Sequence, residues 1–576
     1  MERKKDCVAF PMTDLVERSG ARLLVDQLLI QGVNHVFCVP GESYLAVLDA
    51  LVDAASAVRL IVNRHESGSV FMADAYARLT GQPGVAFVTR GPGASNAAIG
   101  IHNARQDSTP LVVFIGQVGT DHLGREAFQE IDYRQMFGPV AKAVEQVERA
   151  DRIPEAVARA FQCATSGRPG PVVVVLPEDV LGHTARVPDA RCHQPAQAAP
   201  TDTQVAALRS LLRQAQRPLV MLGGPGWTGA ALDNLRRFVE ASDLPVVCGF
   251  RFQDRFDNEH PNYIGEAGIG INPKLAQRIE SADLVVAIGL RLGEVTTSGY
   301  TLLRAPVPEQ TLVHVHAGIE ELGRVYQPQL MINSGMPQFA SRLAAMTPIE
   351  SDAWAAHTRG ARAEYEEWQL RPAAYLREPT LDLWQVMRQL RQAMPRDAII
   401  ANGAGNFSIW LHRFFRYSAP ASQIAPTSGC MGYGVPAAIA AKSMYPDRAV
   451  VALAGDGCFM MAGQELATAM QYDLHVIFIV VNNSHYGTIR MHQERHYPGR
   501  VHGTGLTNPD FVAFARSFGA HGELVERTED FLPAFERARA ARRAALIEIR
   551  MPQEASTPGA TLEQIREQGR KMRGET

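Results

Sequence analysis

The feature that most restricts this chain is a recurring run of β-branched and apolar residues that stops abruptly at Gly, Pro or a polar residue. In the first third the runs are HVFCVPG, VRLIVNRHE, GVAFVTRGPG, LVVFIGQ and PVVVVLPED. In the middle they are PLVMLGG, PVVCGF, LVVAIGLRL and TLVHVHAG, and in the last third AIIANGAGN, QIAPTSG, VVALAGDG, VIFIVVNN and LIEIRMP. A strand with one face in water alternates polar and apolar residues, whereas a strand covered on both faces reads as a continuous apolar stretch. Helical stretches such as ESGSVFMADAYARLTG and GQELATAMQYD lie between the runs and supply the crossovers that parallel strands need. The pattern predicts an α/β chain. At 576 residues it exceeds one hydrophobic core and predicts about three domains, each a doubly wound parallel sheet and all variants of one architecture.

Breaks in the pattern place the seams. Residues 186–200, RVPDARCHQPAQAAP, are polar and rich in Pro and Ala and read as a linker. A second break runs from Pro348 to about Pro379 and contains a charged, helix-like piece, AWAAHTRGARAEYEEWQL. After Pro552 the chain is polar and reads as a flexible or docking tail. The expected domains are residues 13–186, 201–347 and 380–553, with a tail at 554–576. The 57 basic and 60 acidic residues leave a formal charge of −3, which offers no electrostatic footprint for nucleic acid or an anionic membrane. Seven scattered cysteines without a C-x-x-C pair suggest a reduced, cytoplasmic setting. The N-terminus is charged and lacks a long apolar core, so it is not a signal peptide. No apolar run approaches the roughly 18 residues that span a bilayer.

Ligands of open parallel sheets sit beyond the carboxyl ends of the strands, so strand ends carry the functional reading. One run ends in Gly455-Asp456-Gly457 and the next in Asn482-Asn483, with 24 residues between Gly457 and Asn482. With a crossover helix between them, both ends reach the same rim. One carboxylate and one amide oxygen are hard ligands, too few for a full cage. Mg²⁺ completes its octahedron with water and phosphate oxygens, and glycines let a phosphate approach the backbone. The alternative is two ordinary turns, since Gly, Asp and Asn are common turn residues.

GDGCFMMAGQELATAMQY followed by VVNN resembles the thiamine-diphosphate binding motif. Other stretches resemble the same family: LIVNRHESGSVFMADAYARLTG, VTRGPGASNAAIGI, DSTPLVVFIGQV, EAFQEIDYRQMFGPVAKAV, NGAGNFSIW and PTSGCMGYGVPAAIAA. Over about residues 15 to 553 the chain resembles the acetolactate synthase, pyruvate oxidase and 2-oxo acid decarboxylase superfamily, and most of all its acetolactate synthase branch. The resemblance implies a pyrimidine-binding, a central and a diphosphate-binding domain. It implies thiamine diphosphate and Mg²⁺, with Asp456, the Asn483 side chain and the His485 carbonyl as metal ligands. Glu66 would hydrogen-bond the pyrimidine ring and favour its imino tautomer. Its bland alternative is an acid at a helix N-terminus.

The remaining cofactor contacts implied are Gly41, Pro92, Asn96, Gly405, Asn406, Gly455, Gly457, Tyr486 and Gly487, with Met431 beneath the thiazolium; the bland alternative for Met431 is a core side chain. Gln129, Lys142 and His492 stand at catalytic positions, and Glu42, Ser43, Phe128, Gln129 and His492 line the substrate pocket. His492 and His496 lie four apart without the H-E-x-x-H pattern of zinc enzymes, so they are read as pocket or surface residues.

The resemblance implies decarboxylation of a 2-oxo acid and transfer to a carbonyl acceptor, in a homodimer or homotetramer with active sites between subunits. Two departures stand out. His492 replaces the usual Trp after NN, and Glu42 replaces the second Gly of a PGG segment. A non-oxidative decarboxylase or a diketone-cleaving enzyme fits as well, and a binding or regulatory homologue without activity is the alternative from a different class. FAD in the central domain is left open, since GEAGIG replaces the family's GMHG and the acidic strand end expected in VHVHAG is missing.

Overall fold

The computed structural model describes residues 15–349, 352–375 and 380–574. The N-terminal segment with Cys7, the expected domain start at 13, Pro379 and the last two residues of the tail lie outside them. The chain forms two compact units, Met1–Ala196 and Gln197–Thr576.

The first unit contains β1 (Arg18–Ser19), β2 (His35–Cys38), β3 (Arg59–Val62), β4 (Gly84–Val88), β5 (Leu111–Gln117), β6 (Ala143–Gln146), β7 (Pro171–Pro177) and β8 (Thr184–Ala185). The two-residue strands β1 and β8 pair antiparallel. The other six form one parallel sheet in the order β3-β2-β4-β5-β7-β6. Every residue of β4, β5 and β7 is buried, which is why these runs do not alternate. The helix Ile153–Thr165 buries Ile153, Ala156, Val157, Ala160, Phe161 and Ala164, the three- and four-residue spacing of one helix face.

The second unit holds two sheets. One comprises β9 (Pro218–Leu222), β10 (Val246–Gly249), β11 (Tyr263–Ala267), β12 (Leu284–Ile288), β13 (Thr311–His316) and β14 (Leu330–Asn333), in the order β11-β10-β9-β12-β13-β14. The other comprises β15 (Ile399–Asn402), β16 (Gln423–Ile424), β17 (Val450–Gly455), β18 (Ile477–Asn482), β19 (His521–Val525) and β20 (Ala545–Arg550), in the order β16-β15-β17-β18-β20-β19. All pairings within both are parallel.

Counted in chain order, the first and last sheets both read second-first-third-fourth-sixth-fifth. The central sheet reads third-second-first-fourth-fifth-sixth, the order of dinucleotide-binding sheets. The three thirds are therefore two copies of one topology around a different one. The apolar pattern is the same in both, because it reports burial on two faces and not the side on which a crossover sets the next strand down. The order reverses between β2 and β4, between β9 and β12, and between β15 and β17. Such reversals open a crevice at the strands' carboxyl ends.

Candidate active site

In the first unit the chain leaves β3 and caps the helix Glu66–Thr80 with His65, whose Nδ1 accepts the Ser67 N–H at 3.2 Å. Glu66 is the first helical residue and half-buried. Its Oε2 accepts a hydrogen bond from Asn96 Nδ2 at 2.9 Å. A Cβ added to Gly93 would lie 3.3 Å from its Oε1. The carboxylate thus stands over the first turns of the helix Pro92–Asp107, with Pro92 and Asn96 exposed.

The crevice between β2 and β4 adjoins it. Gly41 packs against Thr89, where a Cβ would lie 2.3 Å from the Thr89 Cβ. Ser43 Oγ and Thr89 Oγ1 are 2.8 Å apart. Arg90 follows, with its guanidinium between Glu42 and Glu178. Phe128 is 72% exposed. Gln129 adopts a left-handed backbone, φ 66°, with its Cβ and carbonyl against Gly91.

In the second unit, Gly455 of β17 lies opposite Val481 of β18 in register, so Asp456 and the two asparagines leave the sheet on one rim. The alternation of strand side chains divides the asparagines. Asn482 turns toward the sheet: its Nδ2 donates to Glu548 Oε1 at 2.9 Å, and its Oδ1 accepts the Ser484 N–H at 3.0 Å. Asn483 Oδ1 accepts the His485 N–H at 3.1 Å. Asn508, which no sequence pattern marks, joins the two loops. Its Nδ2 donates to Asp456 Oδ2 at 2.7 Å and to Asn482 Oδ1 at 2.9 Å. The packing is close: a Cβ on Gly457 would lie 2.6 Å from the Tyr486 ring, and one on Gly487 3.0 Å from Asn483 Nδ2.

Asp456 is 2% exposed. Burial pushes its carboxyl up, partly offset by Asn508 and backbone N–H groups, and among the described residues it has no ion pair. A buried carboxylate without a counter-charge suits an external cation. Among the described residues no cluster of three His, Cys, Asp or Glu side chains is placed to hold a metal. A metal here would rest on Asp456, the Asn483 amide and backbone oxygen such as that of His485, leaving positions for water and phosphate.

The other expected residues divide. Gly405 has φ 148°. The Asn406 side chain donates to Ser556 Oγ at 2.9 Å and accepts from Thr488 Oγ1 at 2.9 Å, so its amide is committed within the chain. Met431 is half-exposed between Gly429 and Gly432, both left-handed, and is not a core side chain. His492 is exposed on the helix Gly487–His496, its ring 6.3 Å from that of His496. Lys142 is a correction. It precedes β6, on the amino-terminal rim opposite Glu66. Its ammonium donates to the Ser166 carbonyl at 2.5 Å and the Arg168 carbonyl at 2.7 Å. It ties a loop there and does not reach the carboxyl rim.

The central crevice does not offer what a dinucleotide needs. A Cβ on Gly223 or on Gly249 would meet Leu290 Cδ2 at 2.4 and 2.3 Å respectively, and Leu290 is 2% exposed. Strand β13 ends in buried His316, whose Nδ1 accepts the Gly318 N–H at 3.0 Å. The acidic residue that the resemblance implies at this strand end is absent. The residues present do not fit a flavin dinucleotide in this crevice.

Each of the two sheets of one topology has small and polar residues at its reversal, as cofactor-binding α/β domains do, and a dinucleotide-type sheet comes between them in the chain. Comparison agrees. Family models match in three blocks: the N-terminal TPP binding domain of thiamine pyrophosphate enzymes over residues 18–136, the central domain over 205–343, and the C-terminal TPP binding domain over 403–549. The chain belongs to the thiamine pyrophosphate enzyme family. Within it, the chain is 32% identical to the acetolactate synthase large subunit of Corynebacterium glutamicum, over 90% of this chain and 84% of that relative. It is 30% identical to the isozyme 2 large subunit of Escherichia coli, over 90% and 93%, and 35% identical to the large subunit of Parasynechococcus marenigrum, over 89% and 84%. Among the described residues no helix is long and apolar enough to cross a membrane.

Proposed function

We propose that this protein is a thiamine-diphosphate- and Mg²⁺-dependent carboligase that decarboxylates a 2-oxo acid and joins the remaining fragment to a carbonyl acceptor. The observation that carries the reading is the rim of β17 and β18, where buried, uncompensated Asp456 and the amide of Asn483 leave the sheet side by side. The bound cofactor supplies an electron sink for decarboxylation and a carbon nucleophile for bond formation. Asp456, Asn483 and the His485 carbonyl hold Mg²⁺. The backbone of Gly455, Gly457 and Gly405 borders the diphosphate, with Tyr486 and Gly487 packed behind. Met431 supports the thiazolium.

Glu66, oriented by Asn96, holds the proton shared with the pyrimidine ring nitrogen, and Gly41 and Pro92 border that ring. Ser43, Phe128 and Gln129 of the first unit meet the substrate, as does His492 of the second. The protein works as a homodimer or homotetramer in the cytoplasm. A second reading, a decarboxylase or diketone-cleaving enzyme of the same family, draws on Glu42, whose carboxylate is engaged by Arg90 at 3.0 Å. An inactive homologue would have no use for Glu66, Asp456 and Asn483 together.

The deciding experiment incubates the protein with thiamine diphosphate, Mg²⁺ and pyruvate and measures acetolactate, acetaldehyde and CO₂ together. Acetolactate is expected. Acetaldehyde with CO₂ and no acetolactate would replace carboligation by simple decarboxylation. No turnover with cofactor bound would move the donor away from pyruvate.

A further inference from the structure

The reversal of the first sheet carries a charged assembly for which the family match gives no reason. Arg90, with its side chain 9% exposed, uses every guanidinium nitrogen. Nη1 donates to Glu178 Oε2 at 3.0 Å, Nη2 to Glu42 Oε1 at 3.0 Å, and Nε to the Phe128 carbonyl at 3.3 Å. Its backbone N–H donates to Ser43 Oγ at 3.3 Å. One residue therefore ties together the loops after β2, β4 and β7 and the segment carrying Phe128 and Gln129. With three of its five N–H donors engaged in three directions, the guanidinium is held in one orientation.

The segment it holds is under conformational load. Glu126 and Gln129 are non-glycine residues in the left-handed region, φ 52° and 66°, which persists only where the surroundings impose it. Glu130 folds the loop from within, accepting the Gly124 N–H at 2.6 Å and the Ala127 N–H at 3.0 Å. Gly91, φ 57°, donates its N–H to Tyr133 Oη at 2.8 Å. A Cβ on Gly91 would meet Gln129 Cβ at 2.7 Å. The turn after β4 and the loop are in contact, and from Gly93 the same helix start touches Glu66.

We propose that Arg90 is a positioning residue and specificity determinant: clamped between Glu42 and Glu178, it pins the loop of Phe128 and Gln129 against the Gly91 turn and so fixes the substrate pocket beside Glu66. The proposal rests on the reading above for the role of that pocket. Lysine cannot replace the clamp, because a point charge cannot reproduce a planar fork with three directed contacts.

The test uses the full chain with Arg90→Lys, and a neutral triple variant, Glu42→Gln, Arg90→Met and Glu178→Gln, which removes the clamp without stranding two carboxylates. Hydrogen exchange is followed over residues 124–130 and over β4 and β5. KM and kcat are measured for whichever 2-oxo acid the wild type turns over, with thiamine diphosphate affinity alongside. In both variants, exchange in the loop is expected to rise about tenfold, as for the loss of one charge-assisted hydrogen bond, while β4 and β5 stay protected. KM rises about tenfold, kcat changes less, and cofactor affinity holds. Unchanged loop exchange overturns the proposal, as does a uniform loss of protection across the sheet or a fall in kcat at constant KM. If the wild type turns over no 2-oxo acid, the carboligase reading fails instead, and loop exchange alone decides on Arg90.

Discussion

Asn482 and Asn483 are adjacent and chemically identical, yet only one is free for the site. Asn482 is consumed by Glu548, Ser484 and Asn508. Asn483 faces the rim. The sequence marks both through the end of an apolar run, and strand alternation tells them apart. It does not mark Asn508, which arrives from a loop 26 residues beyond Asn482 and has no periodicity to announce it. Arg90 is hidden for the same reason: its partners at 42, 128 and 178 are distant in sequence. Glu66 is legible only through its motif, since an acid at a helix start is common. Substituting Glu66→Gln keeps the Asn96 contact in reach and removes the proton-holding oxygen. Thiamine diphosphate affinity is expected to stay within about threefold while kcat falls by about 10²–10⁴. An unchanged kcat in steady-state assays would take Glu66 out of the reaction.

At the scale of elements, the strands of the three parallel sheets missed in the sequence are β6, β11, β14 and β19, and each lies at a sheet edge. Edge strands have one unpaired side and tolerate polar residues, so AVEQ, YIGEA, LMIN and HGELV lack the continuous apolar signature of central strands. The tail, read as flexible or docking, docks. Its helix Leu562–Met572 packs Leu562 and Ile565 against Met491 of the helix Gly487–His496. Arg566 grips buried Glu494 through Nε at 3.0 Å and Nη2 at 2.9 Å. Burial would raise the Glu494 pKa, but Arg566, the Gly499 N–H and Arg490 outweigh it and hold it at about 2. A depressed carboxyl pKa stabilises the fold above its unfolded value and loses that contribution as pH falls through the folded one. Docking should therefore weaken between pH 4.5 and about 2, as hydrogen exchange over the tail helix would register. At neutral pH, Glu494→Gln is expected to cost about 2 kcal/mol and to speed tryptic cleavage after Arg566 and Arg570. Cleavage at the wild-type rate would show that the apolar contacts hold the helix alone.

For the whole molecule, three parallel sheets were legible, but their lateral order was not, and with it the special status of the middle one. That middle sheet has the dinucleotide order without the dinucleotide chemistry: Leu290 fills its crevice and His316 ends β13. The purified protein is accordingly expected to be colourless and to need no added FAD. A stoichiometric flavin spectrum would show that a flavin binds despite Leu290 and without an acidic end to β13. Each sheet is drawn from one uninterrupted length of chain, the first closing at Pro177, the second spanning Pro218 to Asn333 and the third running from Ile399 to Arg550. That arrangement matters during synthesis. At about 5–20 residues per second, the 221 residues between Pro177 and Ile399 take about 11 to 44 s to make. The ribosome thus gives the first sheet a head start of that length, in which every strand it needs is already present and none belonging to its topological twin has yet emerged to compete.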